Sequence, residues 1–94
     1  MTQRQIKKCI KIAEHYGRYN QERQAVSELA ELEYVLTRRP EQRKPDWKDN
    51  LLDEIADVTV MLTQLSLLYG LTPEEITDRI DFKLNRQLDR IKNE

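Results

Sequence analysis

The chain has one cysteine, Cys9, so no internal disulfide can form, and a lone thiol fits a reducing compartment. It has two glycines and three prolines, too few to punctuate the many turns of an all-β protein. Aromatic residues make up 6 % of the sequence, so a large aromatic core is excluded. Neither sign of charge dominates: 16 basic against 17 acidic side chains give a formal net charge of -1. That balance provides no global electrostatic footprint for nucleic acid or an anionic membrane surface. Long apolar runs are absent too. The most apolar stretch, residues 55–71, is interrupted by Asp57, Thr59, Thr63, Gln64 and Ser66, and no membrane span is expected. The residues after Met1 are polar and basic, without the apolar core of a secretory signal. A cytoplasmic protein of one domain, residues 1–94, is the expectation.

What is present is charge and helical periodicity. Charged residues are 35 % of the chain, and apolar residues recur at intervals of three and four. Four helices are predicted. The first, about residues 2–15, aligns Ile6, Cys9, Ile10, Ala13 and Tyr16 and stops at Gly17. The second, about 20–37, aligns Ala25, Leu29, Leu32, Val35 and Leu36. A loop from Arg38 to Asp46 follows, with two prolines and four cations. The third helix, about 47–70, would be capped by Asp46 and end at Gly70. The fourth opens with Thr72-Pro73-Glu74-Glu75, which places a capping threonine, a first-turn proline and a third-position glutamate in order.

The third helix carries Leu51, Ile55, Val58, Met61, Leu62, Leu65 and Leu68 on one side, and Leu52, Ala56, Val60 and Leu67 on the other. A helix apolar on two sides needs cover on two sides. Four helices in a chain this short leave one side open, so self-association as a dimer or tetramer is expected, with the third helix at its centre.

Two acidic pairs stand out: Glu28-x-x-Glu31 on the second helix and Glu54-x-x-Asp57 on the third. At about 100° per residue, Glu28 and Glu54 fall inside the apolar stripes, and Glu31 and Asp57 at their edges. Any one of them is explained by partial exposure on an imperfectly amphipathic helix. Four in phase on two facing helices are not, because burying an unpaired carboxylate costs several kcal/mol and a domain has only about 5–15 kcal/mol of net stability. Protons, basic partners or a cation must neutralise them. No lysine or arginine lies inside either stripe, although the fourth helix remains a source of basic partners. Oxygen ligands without nearby histidine or thiol select Mg²⁺, or Mn²⁺, over zinc. The single histidine, His15, does not form the Glu-x-x-His pairs of a di-iron bundle.

A carboxylate-held Mg²⁺ commonly takes phosphate oxygens as its remaining ligands. On the fourth helix Arg79, Lys83, Arg86 and Arg90 share one flank of the apolar stripe, while Asp78, Asp81, Asn85 and Asp89 share the other. Each alone reads as a solvated residue; together the basic flank is a candidate clamp for phosphates, with Arg86 and Arg90 suited to bidentate contacts. Tyr16, Tyr19, Tyr34 and Trp47 are candidates for stacking on a base. His15 reads as a surface residue and Cys9 as core.

Glu28-x-x-Glu31, then Glu54-x-x-Asp57, then Lys83-Leu84-Asn85-Arg86 resembles the MazG-like all-α nucleoside triphosphate pyrophosphohydrolases. His15-Tyr16-Gly17 with Gln21 resembles a compact subgroup, and the resemblance covers roughly residues 10–91. It implies an all-α, four-helix MazG-like bundle completed by oligomerisation. It also implies Mg²⁺-dependent cleavage of a (deoxy)nucleoside triphosphate to monophosphate and pyrophosphate. Glu28, Glu31, Glu54 and Asp57 would be metal ligands and catalytic residues; Lys83, Asn85, Arg86 and Arg90 would bind the substrate. The chain departs from the family at Ser27, where a further glutamate is usual. A helical homo-oligomer that binds nucleotide or a protein partner without turnover is therefore the alternative. Nucleic-acid binding through the Arg38–Lys44 loop rests on its four cations alone.

Overall fold

The computed structural model describes residues 1–94 as three α-helices and one short 3-10 turn, without strands. Helix α1 runs Gln3–Thr37, α2 runs Trp47–Leu68 and α3 runs Pro73–Lys92, with the turn at Pro40–Gln42. The all-α expectation holds, but the number of helices differs. The segments predicted as two helices over 2–15 and 20–37 run on without a loop as the two arms of α1, with the break in helical torsions at Gly17, where the stop was expected. At Gly17 the backbone leaves helical torsions, with φ 84 and ψ 169, yet helical bonding continues on both sides. That region of torsion space is essentially restricted to glycine. A Cβ at this position would meet nothing within 4 Å, so torsion alone, and not crowding, requires the glycine.

Local chemistry sets the helix ends. Thr2 accepts from the Gln5 amide at 3.1 Å, and the Gln5 side chain accepts from the Thr2 amide at 2.8 Å, closing a capping box on α1. Thr72 and Glu75 build the same box on α3, as expected. At the end of α2 the Leu71 amide reaches the Ser66 carbonyl at 2.9 Å and the Gly70 amide the Leu67 carbonyl at 3.3 Å. This is a Schellman ending with Gly70 at φ 68. The cap expected from Asp46 does not form. Asp46 stands at the N-cap position of α2 but its side chain makes no capping bond; instead the Trp47 amide bonds to the Lys44 carbonyl at 2.9 Å.

The second arm of α1 and α2 make an antiparallel hairpin. Three side-chain bonds run along its seam: Arg18 to the Leu68 carbonyl at 3.2 Å, Gln21 to Gln64, and the Trp47 indole N–H to the Val35 carbonyl at 2.9 Å. The buried apolar residues are few and mostly small, namely Cys9, Ala13 and Ala25 on α1 with Val58 and Met61 on α2. Small side chains let the two backbones approach closely. All five of these residues belong to the predicted stripes, so the phase holds, although the stripes are only partly covered. Ile10, Tyr16, Leu29 and Leu36 on α1, and Ile55 and Leu62 on α2, are exposed members of those stripes, and α3 does not pack over them; Gln21 and Gln64 are buried near the Arg18–Leu68 end of the seam.

Helix α3 leaves α2 at a bend of 120° and packs on neither α1 nor α2. Only Ile76 is half-buried; Ile80, Leu84, Leu88 and Ile91 lie open. No single helix is long and apolar enough to cross a membrane.

Candidate metal centre

The antiparallel hairpin brings the two acidic pairs face to face. Glu28 and Glu31 come from successive turns of α1, and Glu54 and Asp57 from successive turns of α2. One carboxylate oxygen from each lies within 4.8 Å of the others. Glu28 and Glu54 are half-buried in the seam, while Glu31 and Asp57 stand at its exposed edge, which is the division expected from the helical phase.

Two of the oxygens set this cluster apart from an ordinary acidic surface. Oε2 of Glu28 and Oε2 of Glu54 are buried and have no hydrogen-bond partner. Unpartnered buried oxygens are costly, since about 1–3 kcal/mol or more is lost for each group left unsatisfied. The other Glu28 oxygen is held: the Gln24 amide donates to its Oε1 at 2.9 Å. Gln24 stands four residues before Glu28, the spacing at which side chains meet on a helix, but an amide at that spacing carries no signal of its own in the sequence.

Lost hydration and the neighbouring Glu28 both act on Asp57. Its carboxyl is pushed above the ordinary value of 3.8, first by lost hydration, then by the charge of Glu28 and by a hydrogen bond shared with Glu28. The donor set consists of hard oxygens with no histidine or thiol among them, and this suits Mg²⁺ or Mn²⁺. The unpartnered oxygens of Glu28 and Glu54 are the ones a cation would satisfy, so the residues fit such an ion.

Lys83, Asn85, Arg86 and Arg90 are all exposed on α3, and the fold of one chain does not bring them to the acidic cluster because α3 packs on neither acidic helix. Tyr16, Tyr19 and Tyr34 are exposed as well. Cys9 is buried, as expected for a core residue, and His15 lies on the surface edge-on to Tyr16. Trp47 is half-buried at the loop end of the hairpin, in a pocket with Tyr34 and several cations.

Fold and site together define an all-α protein of three helices with a four-carboxylate cluster able to hold a metal ion. No family model, no curated protein and no solved structure matches the chain.

Proposed function

We propose that this protein is a Mg²⁺-dependent nucleoside triphosphate pyrophosphohydrolase of the MazG-like type, which cleaves (deoxy)nucleoside triphosphates to monophosphate and pyrophosphate in cytoplasmic nucleotide housekeeping. The observation that supports this most is the convergence of Glu28, Glu31, Glu54 and Asp57 within 4.8 Å, with buried, unpartnered oxygens on Glu28 and Glu54. These four carboxylates would hold Mg²⁺, or Mn²⁺ in its place. When bound, the ion supplies Lewis-acid chemistry, polarising a phosphate oxygen and lowering the pKa of a bound water.

The protein's own groups have separate tasks. Gln24 holds Glu28 in place through its 2.9 Å hydrogen bond. Lys83, Asn85, Arg86 and Arg90 would bind the outer phosphates and stabilise the charge of the departing pyrophosphate. Because α3 is unpacked within its own chain, these residues would reach the acids from the α3 of a second copy. The enzyme would thus be a homo-oligomer, dimer or tetramer, whose site spans two subunits. The choice of the α-phosphorus rests on the resemblance of the motifs, not on a distance in the fold.

Ser27 favours a second reading, a homo-oligomer that binds nucleotide without turnover. A panel of normal and modified (d)NTPs with Mg²⁺, scored for products, separates the two. Monophosphate with pyrophosphate is expected. Diphosphate with inorganic phosphate contradicts the proposed bond, and metal-dependent binding without any product supports the second reading.

A further inference from the structure

At the loop end of the hairpin a cavity of about 310 Å³ is lined by residues from α1, the loop and α2. This is the lower end of the range for small-molecule sites, about 300–1,000 Å³. Arg38, Arg43 and Lys44 supply three cations to its wall, against the single carboxylate of Asp46. Neither arginine bonds to an acid. Arg38 donates to the Tyr34 hydroxyl, and Arg43 Nε donates to the Arg38 carbonyl at 3.0 Å.

Both guanidinium groups are also seated on rings. Arg43 lies 3.8 Å from the centre of the Trp47 ring and Arg38 lies 4.8 Å from that of Tyr34. The Trp47 ring is itself fixed by its indole bond to the Val35 carbonyl. The guanidinium groups are thus oriented before any ligand arrives, and each keeps donors in its planar fork free for an anion. Asp46 adds no capping bond to the start of α2, and the amides of Lys48 and Asp49 in that first turn have no backbone acceptor. The positive end of the helix dipole therefore adds to the field near the pocket.

The pocket neighbours the acidic cluster. Val35 in its wall follows Glu31 by four residues on α1, and Asn50 precedes Glu54 by four residues on α2. Four residues are about 6 Å along a helix axis, roughly the span of a phosphate chain.

We infer that this pocket binds oligophosphate, with Arg38, Arg43 and Lys44 as the anion-holding residues, so that one chain carries cations as well as acids along the same seam. That the natural ligand is the phosphate chain of a nucleotide rests on the proposed function; the anion chemistry of the pocket does not. Trp47 is the sole tryptophan, so its emission reports on this pocket alone.

The test is titration of the full chain with inorganic triphosphate in metal-free buffer, followed by Trp47 fluorescence and by calorimetry. Saturable binding is expected, weakened about tenfold in Arg43→Gln, the loss of one charge-assisted contact. Arg39→Gln removes an equal charge from the same loop but outside the pocket wall, and should bind nearly as wild type. Glu54→Gln should bind triphosphate at least as tightly as wild type, since it removes a nearby negative charge. No calorimetric binding, or equal weakening by Arg39→Gln and Arg43→Gln, overturns the pocket. Intact triphosphate binding in a protein that takes up no Mg²⁺ upholds the pocket while overturning the metal site, so the two readings fail separately.

Discussion

Gln21 and Gln64 bond to each other in the buried seam, seven residues before Glu28 on α1 and seven residues after Asp57 on α2. Seven residues are close to two helical turns on each side. The amide pair and the acid pair therefore occupy matching levels of one antiparallel ladder. Gln64 is 1 % exposed and Gln21 5 %, so each amide depends on the other for a partner. A slip of the helices would break that bond and separate the acids together. The pair is a register pin for the site.

Gln64→Leu alone should destabilise the protein by about 1–3 kcal/mol, since Gln21 is left buried without its partner. The double variant Gln21→Leu/Gln64→Leu should recover most of that loss, as apolar replacement of both partners is nearly neutral. Denaturant unfolding of the two singles and the double, read as a cycle, checks it. Additive losses would show that the amides do not act as a pair.

The raised carboxyl of Asp57 predicts how stability changes with pH in metal-free buffer. A group whose native pKa lies above its unfolded value binds protons more readily in the native state, so stability falls as pH rises between the two values. From Asp57 the contribution should therefore increase as pH is lowered from neutrality through its raised native value toward 3.8. Asp57→Asn removes this dependence. Thermal melts of wild type and Asp57→Asn across that range give the comparison, and parallel profiles would contradict the assignment.

Gly17→Ala should destabilise by about 1–3 kcal/mol through torsional strain alone, because the new methyl has open space around it. Gly17→Asn should be no better, as the torsions at Gly17 lie outside the left-handed helical region that asparagine tolerates. Equal stability of Gly17→Ala and wild type would mean that the kink is dispensable, with α1 able to straighten.

The open stripe of α3, with the exposed Leu52, Ile55 and Leu62 of α2, predicts association of copies. Light scattering should give a dimer or tetramer at micromolar concentration, and Leu84→Glu with Leu88→Glu should give a smaller species that keeps its helical content. A folded wild-type monomer at all concentrations contradicts the oligomer and with it the delivery of Arg86 and Arg90 from a second copy.

Sequence periodicity was sufficient for the all-α class, the capping box at Thr72, the stop at Gly70 and the meeting of Glu28, Glu31, Glu54 and Asp57. These follow from local rules: capping chemistry and a fixed angle per residue. The break at Gly17 was legible, but the direct junction of the two arms without a loop was not, because a glycine alone does not show where helical bonding resumes beyond it. The exposure of Ile10, Leu29, Ile55 and Leu62 was hidden for a different reason. Those residues belong to the predicted stripes, but α3 does not pack on the hairpin to cover them, and an apolar pattern cannot register Gln21 and Gln64 as core. Asp46 looked like a cap, but the loop gives the Trp47 amide to the Lys44 carbonyl instead. That Lys83, Asn85, Arg86 and Arg90 lie on a helix that packs on neither acidic helix is a matter of tertiary packing, to which spacing along the chain is blind.

Binding of Mn²⁺ to wild type and Glu54→Gln, measured by calorimetry, addresses the central claim most directly. The four-carboxylate cluster predicts saturable binding to wild type and a rise in melting temperature with metal by mass action. Glu54→Gln should weaken binding by about tenfold or more, equivalent to at least about 1.4 kcal/mol, and melt at or above the wild-type temperature without metal because a crowded charge is gone. Equal Mn²⁺ affinity and equal metal-induced stabilisation in the two proteins would contradict a metal centre at Glu28, Glu31, Glu54 and Asp57.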